Sequence, residues 1–267
     1  MFSAMNVRSL GIRTDLIFQR FGGVIVDRGS YLVLLTPSNP TYRWGNMLLF
    51  AAPPGEGDLE RWRQLFAREV GAPPEINHMV FAWDTIHGET GYVQPFLDTG
   101  FDIERNVVLS TNAVHPPPRI NDGIAISPLE SDAEWRAAFE LELLCRDEGE
   151  DEAGYRTFIE RKMAQYREMI AAGMGRWFGA FLNGKLVADM GLFVEDGIGR
   201  FQSVKTHPGY RRRGICGTMV HAIARRGLET MGAETLVMIA DAEYHAAKIY
   251  QSVGFRPTER IVGVERK

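Results

Sequence analysis

The chain has 267 residues, enough for two ordinary domains or one large one. Its 45% apolar and 24% charged residues, with a formal net charge of -4, give a globular composition. That balance argues against an obligate nucleic-acid binder, which needs a basic domain to neutralise phosphates.

In chain order, MFSAMNVRSLGIRTDL at residues 1–16 lacks the apolar core of a signal peptide. No run approaches the ~20 apolar residues of a membrane span. A soluble, cytoplasmic protein with no membrane partner is expected. GGVIVDRGSYLVLL (22–35) reads as paired strands, NMLLFA (46–51) as a third, and residues 58–70 as a helix with Leu59, Trp62, Leu65 and Phe66 apolar. MVFAWD (79–84) is a buried strand. AVHPPPRINDG (113–123) is a proline-rich linker ending in turn chemistry.

Beyond the linker, IAISPL (124–129) alternates like a strand, and Ser131 with Glu134 makes a capping box for a helix to about Arg146. DEGEDE (147–152) is an acidic loop, which either attracts a cationic amine or is simply solvated. Residues 155–172 form a helix with Tyr155, Ile159, Met163, Tyr166 and Ile170 on one face and Gly173 as its stop. Asn183-Gly184 turns a hairpin between WFGAFL and KLVADMGLFV, and GRFQSVKT (199–206) adds a third strand. A helix over 214–231, the strand TLVMIAD (235–241), a short helix over 243–252 and a last strand FRPTERIVGV (255–264) complete the chain. The first half repeats this order: GGVIVDRGSYLVLL echoes GAFLNGKLVADMGL, MVFAWD echoes LVMIAD, and PFLDTGF echoes IYQSVGF. This reads as a duplicated unit, although the first copy lacks room for the two helices before the second hairpin.

RRRGICGTMV (211–220) admits three readings: a nucleic-acid clamp, a reactive thiol, or a phosphate cradle. Net charge disfavours the first. Cys216 at a helix start beside arginines has reason for a lowered pKa, but no His stands at a readable partner spacing. A strand, a Pro turn and a helix opening with glycines make an anion site, through unpaired first-turn N–H groups and the macrodipole. Gly214, lacking a Cβ, would let a phosphate approach the backbone closely. The pattern is neither a P-loop nor GxGxxG. The two cysteines, Cys145 and Cys216, show no metal-ligand spacing, so no metal and two free thiols are expected.

The run T-H-P-G-Y-R-R-R-G-I-C (206–216), followed by A-x-x-I-Y-x-x-x-G-F (246–255), resembles the GNAT superfamily of N-acetyltransferases across 123–267. Arg211 takes the family's Arg/Gln position and Gly214 its first glycine. Cys216 departs from the usual glycine or alanine. The resemblance implies an α/β (α+β) fold of two GNAT-like domains, each a mixed, mostly antiparallel sheet flanked by helices. Residues 1–112 would be a degenerate copy, 113–122 the linker and 123–267 the catalytic domain. It further implies acetyl-CoA as co-substrate. Val204, Lys205 and Thr206 would meet the pantetheine arm, and Arg211, Arg212, Arg213, Gly214, Ile215, Cys216, Gly217 and Thr218 the pyrophosphate. A backbone N–H near Val204 or Lys205 would be the oxyanion donor and Tyr250 the acid, in direct transfer from a ternary complex.

The base is open. Glu142 lies in the apolar arc of its helix with Ala138, Leu141 and Cys145; Glu243, Asp189 and His207 are no better placed, and a water chain could serve instead. In the first copy, the acidic stretch 52–58 replaces the cradle and Phe96 stands where Tyr250 does, so no cofactor is expected there. Tyr42, Trp44 and Trp83 would line a pocket or fill the core. The expected activity is N-acetyl transfer to a small-molecule or peptide amine, by a monomer or homodimer with no nucleic-acid partner. The alternative is a non-catalytic acyl-CoA-binding or sensing protein.

Overall fold

A computed structural model describes residues 5–147, 149, 151–242 and 246–267. They divide into two units: residues up to Val108 with Thr258–Lys267, and Leu109–Pro257. The first opens with helix α1 (Leu10–Gly22), then β1 (Val24–Asp27), β2 (Tyr31–Leu35), β3 (Met47–Phe50), α2 (Asp58–Glu69), β4 (Met79–Trp83), α3 (Gln94–Asp98) and β5 (Asp102–Thr111). β1, β2 and β3 pair antiparallel; β3 and β4 run parallel. Aromatic residues dominate the core. Phe50 stacks on Trp62 at 3.7 Å between centroids, and Phe66, Phe81 and Phe96 are fully enclosed around them.

The second unit contains β6 (Ala125–Pro128), α4 (Asp132–Leu144), α5 (Glu152–Ala171), β7 (Gly175–Leu182), β8 (Lys185–Glu195), β9 (Ile198–Thr206), α6 (Ile215–Thr230), β10 (Thr235–Asp241) and α7 (Ala246–Gln251). Its strands lie in the order β6-β7-β8-β9-β10, antiparallel except for the parallel pair β9 and β10. Asn183-Gly184 and Asp196-Gly197 all have positive φ. That is the two-residue turn whose twist matches the strands it joins. The Ser131–Glu134 capping box forms as expected. Successive β8 residues point to opposite faces. Phe193 meets Tyr166 of α5 on one face, while Leu192 lies where α6 comes close enough to require Gly227. The order strand, strand, strand, helix, strand, helix is shared by the two units, with the same strand directions.

The chain ends in β11 (Arg256–Arg266), whose part from Thr258 onward belongs to the first unit rather than to the second, where the sequence reading put it. It pairs antiparallel with β4, from Val262 opposite Trp83 to Arg266 opposite Met79. Alternation explains the placement, because Val262 and Val264 enter the aromatic core. Glu259 then caps α1, accepting from Ser9 Oγ at 2.8 Å, Leu10 N at 2.9 Å and Gly11 N at 3.2 Å. The carboxylate of Glu265 accepts from Trp44 Nε1 at 2.9 Å. Helix α1 is an element the sequence reading does not anticipate. Ser9 caps it through Ile12 N, and Ile12, Leu16 and Ile17 are buried.

Candidate functional site

β9 is held by β8 along its length up to Thr206, but by β10 only from Ile198 to Arg200. Beyond Arg200 the two parallel strands part. The arm from Phe201 to Thr206 therefore keeps backbone groups that β10 does not use. A register shift opposite Asp189–Gly191, with Ser203 at a φ of 51°, bends this arm.

The arm leads through a short 3-10 turn, Pro208–Tyr210, into the start of α6. Arg212 and Gly214 both have positive φ, 61° and 78°. Such a curled backbone is the signature of an anion-binding nest. Among the described residues, the N–H groups from Arg212 to Gly217 meet no acceptor, whereas Arg211 N bonds Pro208 O and Thr218 N bonds Gly214 O. Two of the adjacent arginines support the loop itself instead of pointing free. Arg211 Nε donates to Thr206 O at 3.2 Å, and Arg213 Nη2 donates to Gly209 O at 3.2 Å with its guanidinium over the Tyr210 ring.

Gly214 and Cys216 stand in surroundings other than those expected from their neighbours in sequence. A Cβ at Gly214 would stand 2.8 Å from Arg119 O, and one at Gly217 would stand 3.1 Å from Pro117 Cβ. These glycines thus make room for the proline-rich segment, and Gly214 also takes a φ that L side chains resist. Cys216 is half-buried, and desolvation pushes its thiol up to about 12, the opposite of the lowering expected at a helix start. Cys145 is also free, and burial raises its thiol.

On α4, Glu142 is 1% exposed and sits against the bent arm. Ser203 Oγ donates to Oε1 in a short hydrogen bond, Tyr155 OH donates to Oε2 at 3.3 Å, and Lys205 Nζ lies 3.6 Å from Oε2. Burial is the largest single influence on the Lys205 ammonium and works to lower it, but Glu142, Cys145, Asp147 and Asp189 together outweigh it, so its pKa is raised. Asp189 stands across the ladder from Lys205 and is completely enclosed. Trp177 Nε1 donates to its Oδ2 at 3.3 Å, while Oδ1 has no partner among the described residues. Burial first, and the charge of Glu142 second, push this carboxyl well above the usual range. His207 spends Nδ1 on Gly209 N at 3.1 Å. Glu243, Glu148 and Glu150 lie outside the described residues.

Tyr250 on α7 is 5% exposed and meets Phe255 edge-on at 6.5 Å. α7 packs on α6 and β10, with Ile249 beside Gly217. The structure thus brings Glu142 to β9, and α7 to the start of α6. Ser203, Tyr155, Arg119 and Asn121 escape the sequence reading; only alternation along β9, which puts Ser203 and Lys205 on one face, hints at the first.

In the first unit, Gly57 has a φ of 81° just before α2, as Gly214 does before α6. The rest differs. β3 ends at Phe50, still paired with Trp83, so no arm runs free. Gly55 N is already taken by Asp58 Oδ2 at 2.8 Å. Phe96 lies wholly inside the aromatic core, and so does Trp83. Among the described residues, no group of three or more His, Cys, Asp or Glu is placed to hold a metal, and no helix is long and apolar enough to cross a membrane.

Residues 178–262 match the family model described as FR47-like protein. No curated protein matches the sequence. Among solved structures, a functionally unknown conserved protein from Staphylococcus epidermidis ATCC 12228 superposes with a TM-score of 0.68 at 13% identity, covering 92% of this chain and 94% of its own. A GCN5-related N-acetyltransferase from Kribbella flavida gives 0.66 at 17% identity, covering 98% and 96%. A tandem GNAT protein from the clavulanic acid biosynthesis pathway gives 0.56 at 12% identity, covering 99% and 90%. At these identities the likeness is one of fold.

Proposed function

On the frame of the GNAT N-acetyltransferase fold, we propose that the second unit moves an acetyl group from acetyl-CoA to a primary amine by direct transfer. The observation that carries this reading is a pair of neighbouring sets of available backbone groups, those that β10 leaves unused along the arm of β9 and the N–H groups of Arg212 to Gly217. An extended, amide-bearing arm can add to such a strand edge. A pyrophosphate at its end would meet the nest and the helix start together. On this reading Val204, Lys205 and Thr206 bind the arm, while Arg211 and residues from Arg212 to Thr218 form the phosphate end.

Acetyl-CoA supplies the acetyl group as an electrophilic thioester. The N–H of Val204 or Lys205 donates to the carbonyl oxygen as charge develops on it. Ser203 receives a proton from the attacking amine and passes its own to Glu142, along the hydrogen bond already in place. Tyr250 gives its proton to the departing thiolate. As nitrogen bonds carbon, sulfur leaves, and both proton transfers balance. The first unit holds no cofactor on this reading, and the protein works in the cytoplasm as a monomer or homodimer.

Calorimetry with CoA, and thiol release from acetyl-CoA over a panel of amines, test the proposal. Binding followed by turnover on at least one amine is expected. Binding with no turnover on any amine would favour the sensing alternative, and no binding would overturn both readings.

A further inference from the structure

We infer that Arg119 and Asn121, from the proline-rich segment, are positioning residues that preset the direction of the phosphate-binding N–H groups. This inference rests on the acetyl-CoA reading. Arg119 Nη1 donates to Arg212 O at 2.8 Å, and Asn121 Nδ2 donates to Arg213 O at 2.8 Å. Asn121 N donates to Thr218 Oγ1 at 2.9 Å, and that hydroxyl donates to Gly214 O at 2.9 Å. Three successive carbonyls are therefore fixed by the segment or by a side chain it holds.

A planar trans peptide points its C=O and the following N–H in opposite directions. Fixing the carbonyls of Arg212, Arg213 and Gly214 therefore fixes the N–H groups of Arg213, Gly214 and Ile215 on the far side. These are among the N–H groups with no acceptor among the described residues. Donation to each carbonyl also polarises its peptide unit and strengthens the N–H as a donor. Pro117 against Gly217 and the Arg119 backbone against Gly214 seat the segment without side-chain freedom between. A loop with arginines and positive φ at Arg212 would otherwise sample many shapes, and ordering it would cost binding energy.

The test compares CoA, which carries the pyrophosphate, with S-acetylpantetheine, which lacks it. Asn121→Leu and Arg119→Ala should each weaken CoA binding and raise the acetyl-CoA KM about 2- to 12-fold, the worth of one net hydrogen bond. kcat, thermal midpoint and kcat/KM for S-acetylpantetheine should stay at the wild-type level. Arg119→Lys, which keeps a donor, should recover most of the loss. Unchanged CoA affinity in both variants would overturn the brace while leaving the acetyl-CoA reading intact. Equal losses with both acyl donors, or a fall in thermal midpoint, would assign these residues to folding alone and also overturn it. Failure of the wild-type protein to bind CoA would instead bring down the reading beneath.

Discussion

Tyr250 is 5% exposed and meets Phe255 edge-on, and phenylalanine at this position keeps the ring while removing the hydroxyl alone. Tyr250→Phe should lower kcat by about 100-fold, the low end for a lost general acid, with the thermal midpoint unchanged. The test is kcat against pH: equal rates for both proteins at all pH values would remove Tyr250 from the acid role. Cys216 gives a second residue-scale prediction. A thiol at about 12 has roughly two-thousandfold less thiolate at pH 8 than an ordinary cysteine near ~8.5. Its alkylation rate should therefore still be climbing above pH 10, and a plateau near pH 9 would contradict the burial seen here. The sequence marked Tyr250 and Cys216 because both sit at fixed spacing inside motifs. It could place Glu142 on an apolar arc but could not pair it with Ser203, which is 61 residues away and joined to it only by the packing of α4 on β9.

Among the elements, the hairpins and capped helices were legible because their signals are local: Asn183-Gly184 for the turn, Ser131 and Glu134 for the cap. Helix α1 carries a local cap in Ser9 as well, but its second cap, Glu259, stands about 250 residues away in sequence and no local pattern shows it. The last strand shows the same dependence. Ending the chain after Pro257 would remove Val262 and Val264 from the core, each worth about 1.5–3 kcal/mol, together with the α1 cap and the partner of Trp44. The truncated protein should lose the near-ultraviolet circular dichroism of the stacked Phe50–Trp62 cluster and become protease-sensitive before Val108. An unchanged spectrum and an intact first unit would show that β11 is dispensable there.

For the whole molecule, the shared order of elements makes the two units comparable. Both keep a glycine of positive φ before the corresponding helix, yet β9 runs free of its parallel partner while β3 stops with it. Calorimetric titration should accordingly give one CoA per chain, and loss of all binding in Gly214→Glu; two sites, or binding that survives this substitution, would contradict the assignment. The sequence by itself determined most of the α/β elements, the hairpin turns, the glycine motif at the start of α6 and the acidic stretch 52–58 of the first copy. Each of these is written in neighbouring residues, through backbone preference, side-chain period or charge. Only the tertiary structure decided that the last strand completes the first unit, that the glycines at 214 and 217 admit the proline-rich segment, and that Glu142 holds Ser203 and Lys205. Those outcomes depend on which buried surfaces and unpaired polar groups find each other across long stretches of chain, and no local pattern encodes that choice.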